Sequence, residues 1–162
     1  MKPGLDEVGV YRLSGSTTEV AQLKQIFNCG TDIDLTTTLN PDPHAVASMF
    51  KSFFRELPEP LLTNDLARDF TAISASLDGA DPRGENSATD PTLLREIATI
   101  CRKLPRENYN VLSLLFAHLH KVQARSATNK MTVSNLQVIF SPTLEINSTL
   151  LATFILNHDK IF

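Results

Sequence analysis

The sequence predicts an all-α protein, a single-domain helical bundle of about seven helices. Three observations lead there. Apolar residues recur at spacings of three and four in segment after segment, the period of a helix face. Several of these segments start at a recognisable cap and stop at glycine or proline. No stretch alternates apolar and polar residues as a half-buried strand would, and no internal repeat occurs. The 162 residues suffice for one domain with a real core, spanning residues 1–162.

The elements follow in order. Leu5 and Val8 are candidates for burial, but residues 1–8 hold too little for an independent element. Ser16-Thr17-Thr18-Glu19 fits the capping box S/T-x-x-E. Val20, Leu23, Ile26 and Phe27 then share one helix face, and Asn28 and Gly30 supply the stop. Residues 31–43 read as a loop in which Asp32 and Asp34 are solvated rather than metal ligands. The next helix starts after Pro43, with Val46, Met49, Phe50, Phe53, Phe54 and Leu57 on a broad apolar face. Pro58 and Pro60 end it and impose an extended turn.

A short helix from Asp65 uses Leu66, Phe70, Ile73 and Leu77, and about residues 78–92 form a flexible surface loop. Asp90-Pro91 is a cap followed by a first helical position, and Leu93, Ile97, Ile100, Cys101 and Leu104 keep helical spacing. After Pro105 come Tyr109, Leu112, Leu115, Phe116, Leu119 and Val122. Val111, Leu114 and Ala117 wrap round the same segment, which predicts the central buried helix. Ser126 to Lys130 reads as a polar connection. Thr132 caps a helix carrying Val133, Leu136, Ile139 and Phe140, expected to stop before Pro142. Leu150, Leu151, Phe154, Ile155 and Ile161 form a last helix that closes the chain. The expected core is Val20, Leu23, Phe50, Phe53, Leu112, Leu115, Phe116, Leu136 and Phe140.

Composition excludes several functions. The net charge of −3 lacks the basic excess of a nucleic-acid binder. No apolar run approaches the length of a membrane span, so direct membrane insertion is not expected. The start, Met1-Lys2-Pro3-Gly4-Leu5-Asp6, has no apolar core and is not a secretory signal. Two cysteines, Cys29 and Cys101, are too few for a disulfide framework and read as buried or half-buried thiols in a reducing, cytoplasmic setting. The sequon Asn147-Ser148-Thr149 is discounted for that reason. His118 and His120, two apart on a helix, point to different faces and make a poor metal pair. There is no phosphate loop, no nucleophile elbow and no His-Glu-x-x-His, so a complete active site within this chain is not expected.

Three features are left to carry chemistry. In Gly9-Val10-Tyr11-Arg12-Leu13-Ser14-Gly15 a single arginine lies between two glycines and just before the capping box. It reads as a positioned Arg on a short loop, or as a surface Arg beside a buried apolar segment. Lys51 and Arg55, four apart, stack on one side of their helix. Like charges at that spacing cost a few tenths of a kcal/mol, which is a small argument for a common target and is also compatible with two solvated cations. Asn135 lies on the polar side of its helix, a neutral to unfavourable place that permits a functional reading.

Three ordered blocks resemble the RhoGAP domains, the GTPase-activating modules for Rho-type small GTPases. Gly9-Val10-Tyr11-Arg12-Leu13-Ser14-Gly15 resembles the family's arginine-finger loop. Lys51-Ser52-Phe53-Phe54-Arg55-Glu56-Leu57-Pro58-Glu59-Pro60-Leu61-Leu62 is similar to its Lys-x-x-x-Arg-Glu-Leu-Pro-x-Pro-Leu block. Asn129-Lys130-Met131-Thr132-Val133-Ser134-Asn135-Leu136, followed by Phe140-Ser141-Pro142-Thr143-Leu144, is similar to its Asn-Lys-Met-x-x-x-Asn-Leu segment. The resemblance runs over nearly the whole chain. It implies an all-α RhoGAP-like bundle. It implies Arg12 as a catalytic finger given in trans, and Lys51, Arg55 and Asn135 as residues that bind the GTPase or support the loop.

The implied partner is a GTP-bound Rho-family small GTPase. That partner supplies the nucleotide site, the magnesium and the glutamine that orients water, so no cofactor is expected on this chain. Family relatives that dock GTPases without accelerating them imply an alternative, a catalytically inactive binding module. Two departures from the pattern stand out. Members usually carry a helix or two before the arginine loop, whereas eight residues precede Gly9 here. The expectation is a shortened domain with exposed apolar surface and reduced stability. Thr143 stands where many members have Asn, and its hydroxyl can still donate and accept a hydrogen bond.

Overall fold

The computed structural model describes residues 4–30, 34–35, 40–79 and 90–162. Among them every regular element is helical. A single 3₁₀ turn, Gly4–Asp6, precedes α1 (Thr17–Asn28), α2 (Pro43–Arg55), α3 (Ala67–Gly79), α4 (Pro91–Cys101), α5 (Arg106–Ala124), α6 (Ser126–Asn129), α7 (Val133–Leu144), α8 (Ser148–Leu156) and α9 (His158–Ile161). The seven longer helices are the seven that apolar periodicity predicts. Of the two one-turn helices, α6 replaces the expected polar connection at 126–130, and α9 is the end of the last expected helix, which breaks at Asn157 so that Ile161 lies in a separate turn. Asp32 and most of the expected surface loop lie outside the described residues. Asp78 and Gly79, placed in that loop, belong to the end of α3 instead.

The helix starts obey local rules. Asp42, Asp90, Thr132 and Asn147 each accept a backbone N–H of the following turn, which satisfies donors that the helix itself leaves unpaired. Pro43 and Pro91 occupy first-turn positions where a missing N–H costs nothing. Ser16 caps α1 by accepting from the Glu19 N–H at 3.5 Å. The reciprocal half of the capping box is absent, however. The Glu19 carboxylate accepts from the Asp42 N–H at 2.9 Å instead, tying the start of α1 to the start of α2.

Two expectations about element ends and centres need correction. α7 does not stop before Pro142 but runs to Leu144. Proline deprives the carbonyl four residues back, that of Val138, of its donor. Val138 is 77 % exposed, so water can serve that carbonyl in the last turn. The helix then closes on Glu145, which takes a left-handed φ of 56°. The central helix is α8 rather than α5. Leu150, Leu151, Thr153, Phe154 and Ile155 of α8 are all buried, and α8 packs against α3, α5, α7 and α9. α5 buries one stripe, Leu112, Leu115, Phe116, Leu119 and Val122, while Leu114 on its other side is 73 % exposed.

The core holds Leu23, Leu112, Leu115, Phe116, Leu136 and Phe140 as expected. Val20 and Phe50 are half-buried. Phe53 is 56 % exposed and Phe54 takes the inward position beside it. The broad apolar face of α2 is wider than the surface that α1 and α7 cover, so its edge remains in solvent. α2 lies between α1 and α7, and this placement brings Lys51 and Arg55 towards the segments that carry the other candidate residues.

Candidate functional site: the arginine loop and its supports

The loop begins at Gly9, whose φ of +74° is open to glycine and strained for other residues. Its N–H donates to the Asn129 carbonyl at 2.8 Å, fixing the entry. The Arg12 and Leu13 N–H groups both donate to the Gly9 carbonyl at 2.9 Å, which folds the segment into a tight turn. The exit is fixed by Gly15. A Cβ there would lie 2.2 Å from the Ala45 backbone nitrogen, so no larger residue fits against α2. The Gly15 N–H donates to Ser48 Oγ at 3.2 Å.

Between these ends, Val10 and Tyr11 point inward and are each 6 % exposed, while Arg12 and Leu13 point outward. Among the described residues, nothing pairs with the Arg12 guanidinium. A fixed backbone thus presents a planar, permanently charged group to solvent, the arrangement suited to an anion brought by a partner.

Lys51 on α2 donates its ammonium to the Tyr11 carbonyl, immediately before Arg12. Burial, and then the charge of Arg55, push the Lys51 amine below its usual range. The ammonium is half-buried and its bond to the loop is the compensation for that desolvation. Arg55 is exposed and donates to Thr143 Oγ1 at 3.2 Å, while the Thr143 hydroxyl donates to the Ile139 carbonyl at 2.7 Å. Thr143 therefore joins α2 to α7 through its hydroxyl. The structure brings Lys51 to the loop and Arg55 to α7. The Asn135 bonds, by contrast, are local to its own corner. Its amide donates to the Lys130 carbonyl at 2.7 Å, steadying a left-handed Lys130 with φ 62°.

Sequence reasoning quotes Asn129 in the third block but assigns it no role, although it ties this region together. Asn129 is fully buried. Its side-chain amide donates to the Leu5 and Val122 carbonyls at 2.8 Å each, and its oxygen accepts the Met131 N–H at 2.7 Å. With the Gly9 bond to its carbonyl, one residue joins the N-terminal turn, α5, the arginine loop and the entry to α7. The signal that could have found it is its place at the head of the Asn129-Lys130-Met131 block, two residues before the buried Met131. Asn129→Ala is expected to lower stability by about 1–3 kcal/mol, since it strands buried backbone groups. A urea midpoint equal to that of the unmodified chain would contradict this.

An apolar cleft of about 700 Å³ opens behind the loop, with Leu5, Val10, Tyr11, Phe50 and Val122 among its walls. Among the described residues no cluster of three or more His, Cys, Asp or Glu side chains could hold a metal ion. No single described helix is long and apolar enough to cross a membrane; α7 and α8 are apolar but bent by 117° at the break between them. Cys29 and Cys101 are both free; Cys101 is buried as expected, whereas Cys29, just past the end of α1, is exposed.

Comparison with known proteins places this geometry in context. The family model described as the RhoGAP domain matches residues 1–149. The chain is 36 % identical over 157 residues to "Probable Rho-type GTPase-activating protein 2" of Schizosaccharomyces pombe, covering 96 % of this chain and 12 % of that protein. It is 40 % identical over 143 residues to "Rho GTPase-activating protein gacJJ" of Dictyostelium discoideum, covering 88 % of this chain and 15 % of that protein. It thus spans less than a sixth of the length of either relative. The crystal structure of human Rho GTPase activating protein 15 superposes with a TM-score of 0.81 at 29 % identity, covering 99 % of this chain and 78 % of that one.

Proposed function

Because the chain belongs to the RhoGAP domain family, we propose that it binds a GTP-loaded Rho-family small GTPase and inserts Arg12 to accelerate GTP hydrolysis. The observation that carries this reading is the outward guanidinium, unpaired among the described residues, on a loop held at Gly9, Tyr11 and Gly15. In GTP hydrolysis the transferred phosphoryl group passes through a loose transition state with charge spread over its oxygens. The catalyst has little bond-making to do, so positioned positive charge and exclusion of water are the main levers. A guanidinium supplies both charge and a fork of donors without any proton uptake. Its loop has already been ordered by the fold, so little reorganisation is required at the moment of reaction.

In this reading the chain is not itself an enzyme. It supplies one catalytic Arg in trans, holds no cofactor, and works in the cytoplasm, where its two free thiols are stable. Lys51 holds the loop, and Lys51, Arg55 and Asn135 share the face that meets the GTPase. The experiment is single-turnover GTP hydrolysis by Rho-type GTPases with and without the chain. Acceleration supports the reading; unchanged turnover alongside normal binding supports the binding-only module.

The face can be tested separately. Lys51→Ala and Asn135→Ala are each expected to weaken binding to the GTP-loaded partner by about fivefold or more, the scale of a contributing interface residue. Lys51→Ala should slow the saturated rate as well, because it releases the Tyr11 carbonyl. Wild-type affinity in both variants, with an unchanged helical circular-dichroism spectrum, would put the interface on another side of the bundle.

A further inference from the structure

We infer that His118 of α5 is a positioning residue for the arginine loop, acting through the hydroxyl of Tyr11. The inference rests on the activator reading above and names a residue which that reading does not use. Tyr11 is the residue before Arg12, so its backbone torsions decide where Arg12 projects. Its φ is +70°, in the left-handed region that L-residues with a side chain disfavour. Something must hold it there.

Two tethers do so from opposite ends of the residue. Lys51 of α2 holds the carbonyl. The phenol oxygen lies 2.6 Å from His118 Nε2. Rotation about the Tyr11 N–Cα bond towards an ordinary φ would sweep the ring, and its hydroxyl at the far end, away from the imidazole. The hydrogen bond therefore opposes the motion that would relieve the strain. The ring is also gripped edge-on by Phe140 at 5.0 Å and by His118 itself at 5.9 Å.

The chemistry of the pair suits a fixed, neutral bond. Burial raises the phenol well above its usual range, so it stays protonated and donates. Burial, and then Lys121, lower the imidazole, so the ring is neutral with one N–H and one lone pair, and placing the lone pair on Nε2 lets it accept from the phenol. His118 is thus expected as the tautomer with its proton on Nδ1. The partners are 107 residues apart, so no local sequence signal joins them.

The test is a double-mutant cycle read in two observables: the saturating rate constant of GTP hydrolysis, and affinity for the partner loaded with a non-hydrolysable GTP analogue. Tyr11→Phe removes only the hydroxyl and keeps the ring packing. His118→Met removes the acceptor. Each is expected to lower the saturating rate constant about tenfold, equivalent to about 1.4 kcal/mol of barrier, with affinity held within about twofold. The double variant should be no slower than the worse single one. His118→Gln, which returns an acceptor near the Nε2 position, should restore most of the rate. Ring ¹⁵N shifts of His118 in the unmodified chain should report the Nδ1–H tautomer.

Wild-type rate constants in Tyr11→Phe and His118→Met would overturn the inference. So would losses that multiply in the double variant, because they would reveal two independent packing defects. Acceleration by the unmodified chain with silent single variants sinks the positioning role alone. No acceleration by the unmodified chain sinks the activator reading, and the positioning role with it.

Discussion

Arg12→Ala is expected to bind the GTP-loaded GTPase and to lose most of the acceleration, about 10³-fold or more at saturation. The loop geometry is the reason for separating the two effects. Among the described residues the Arg12 side chain makes no hydrogen bond or ion pair; the turn is closed by backbone bonds at Gly9, by Lys51 and by Gly15. Truncation at Cβ therefore leaves the surface that docks. What goes is charge aimed at oxygens that become more negative only in the transition state, and such an interaction shows in rate rather than in ground-state affinity. Arg12→Lys should recover only part of the loss, because an ammonium retains the charge but not the planar fork. Single-turnover hydrolysis beside a binding titration reads both quantities. Full acceleration by Arg12→Ala would remove the finger from the mechanism.

Phe116→Ala carries the second largest expected effect, a loss of about 3–5 kcal/mol of folding stability. Phe116 is fully buried on α5 and stacks on Phe154 of the central α8, with ring centroids 4.7 Å apart and planes 27° apart. It also stacks on Phe162 at 6.0 Å. Removing the ring leaves a void between the two helices that their backbones cannot close, so the lost transfer energy and the cavity both count. The loss should appear as a lower denaturant midpoint with little change in the slope. A loss below about 1 kcal/mol would mean that α5 and α8 collapse onto the space, against the close packing normal for protein interiors.

The arginine loop was legible residue by residue because its causes are local. Two glycines, one arginine and a following cap all lie within a dozen positions. Lys51 and Arg55 were legible as a pair for the same reason, but not their different destinations, the loop for one and Thr143 for the other. Phe53 was placed in the core on helical spacing and is exposed instead. Spacing identifies a stripe, and neighbouring helices decide how much of that stripe they cover. Glu19 shows the same limit, since its carboxylate left the local capping box for the Asp42 N–H on another helix.

By itself the sequence determined the helical class, the seven principal helices and the caps Ser16, Asp90 and Thr132, whereas the caps Asp42 and Asn147 emerged only in the structure. Periodicity, capping and turn chemistry act over about four residues and so can be read along the chain. The tertiary structure decided which helix is central, that α7 runs through Pro142 to Leu144, and what holds the loop. Those outcomes depend on partners distant in sequence: Tyr11 with His118 at a separation of 107, and Asn129 with Leu5 at 124. A buried polar group must find a partner wherever packing places one. That choice is made by the way the helices come together, which the local code does not specify.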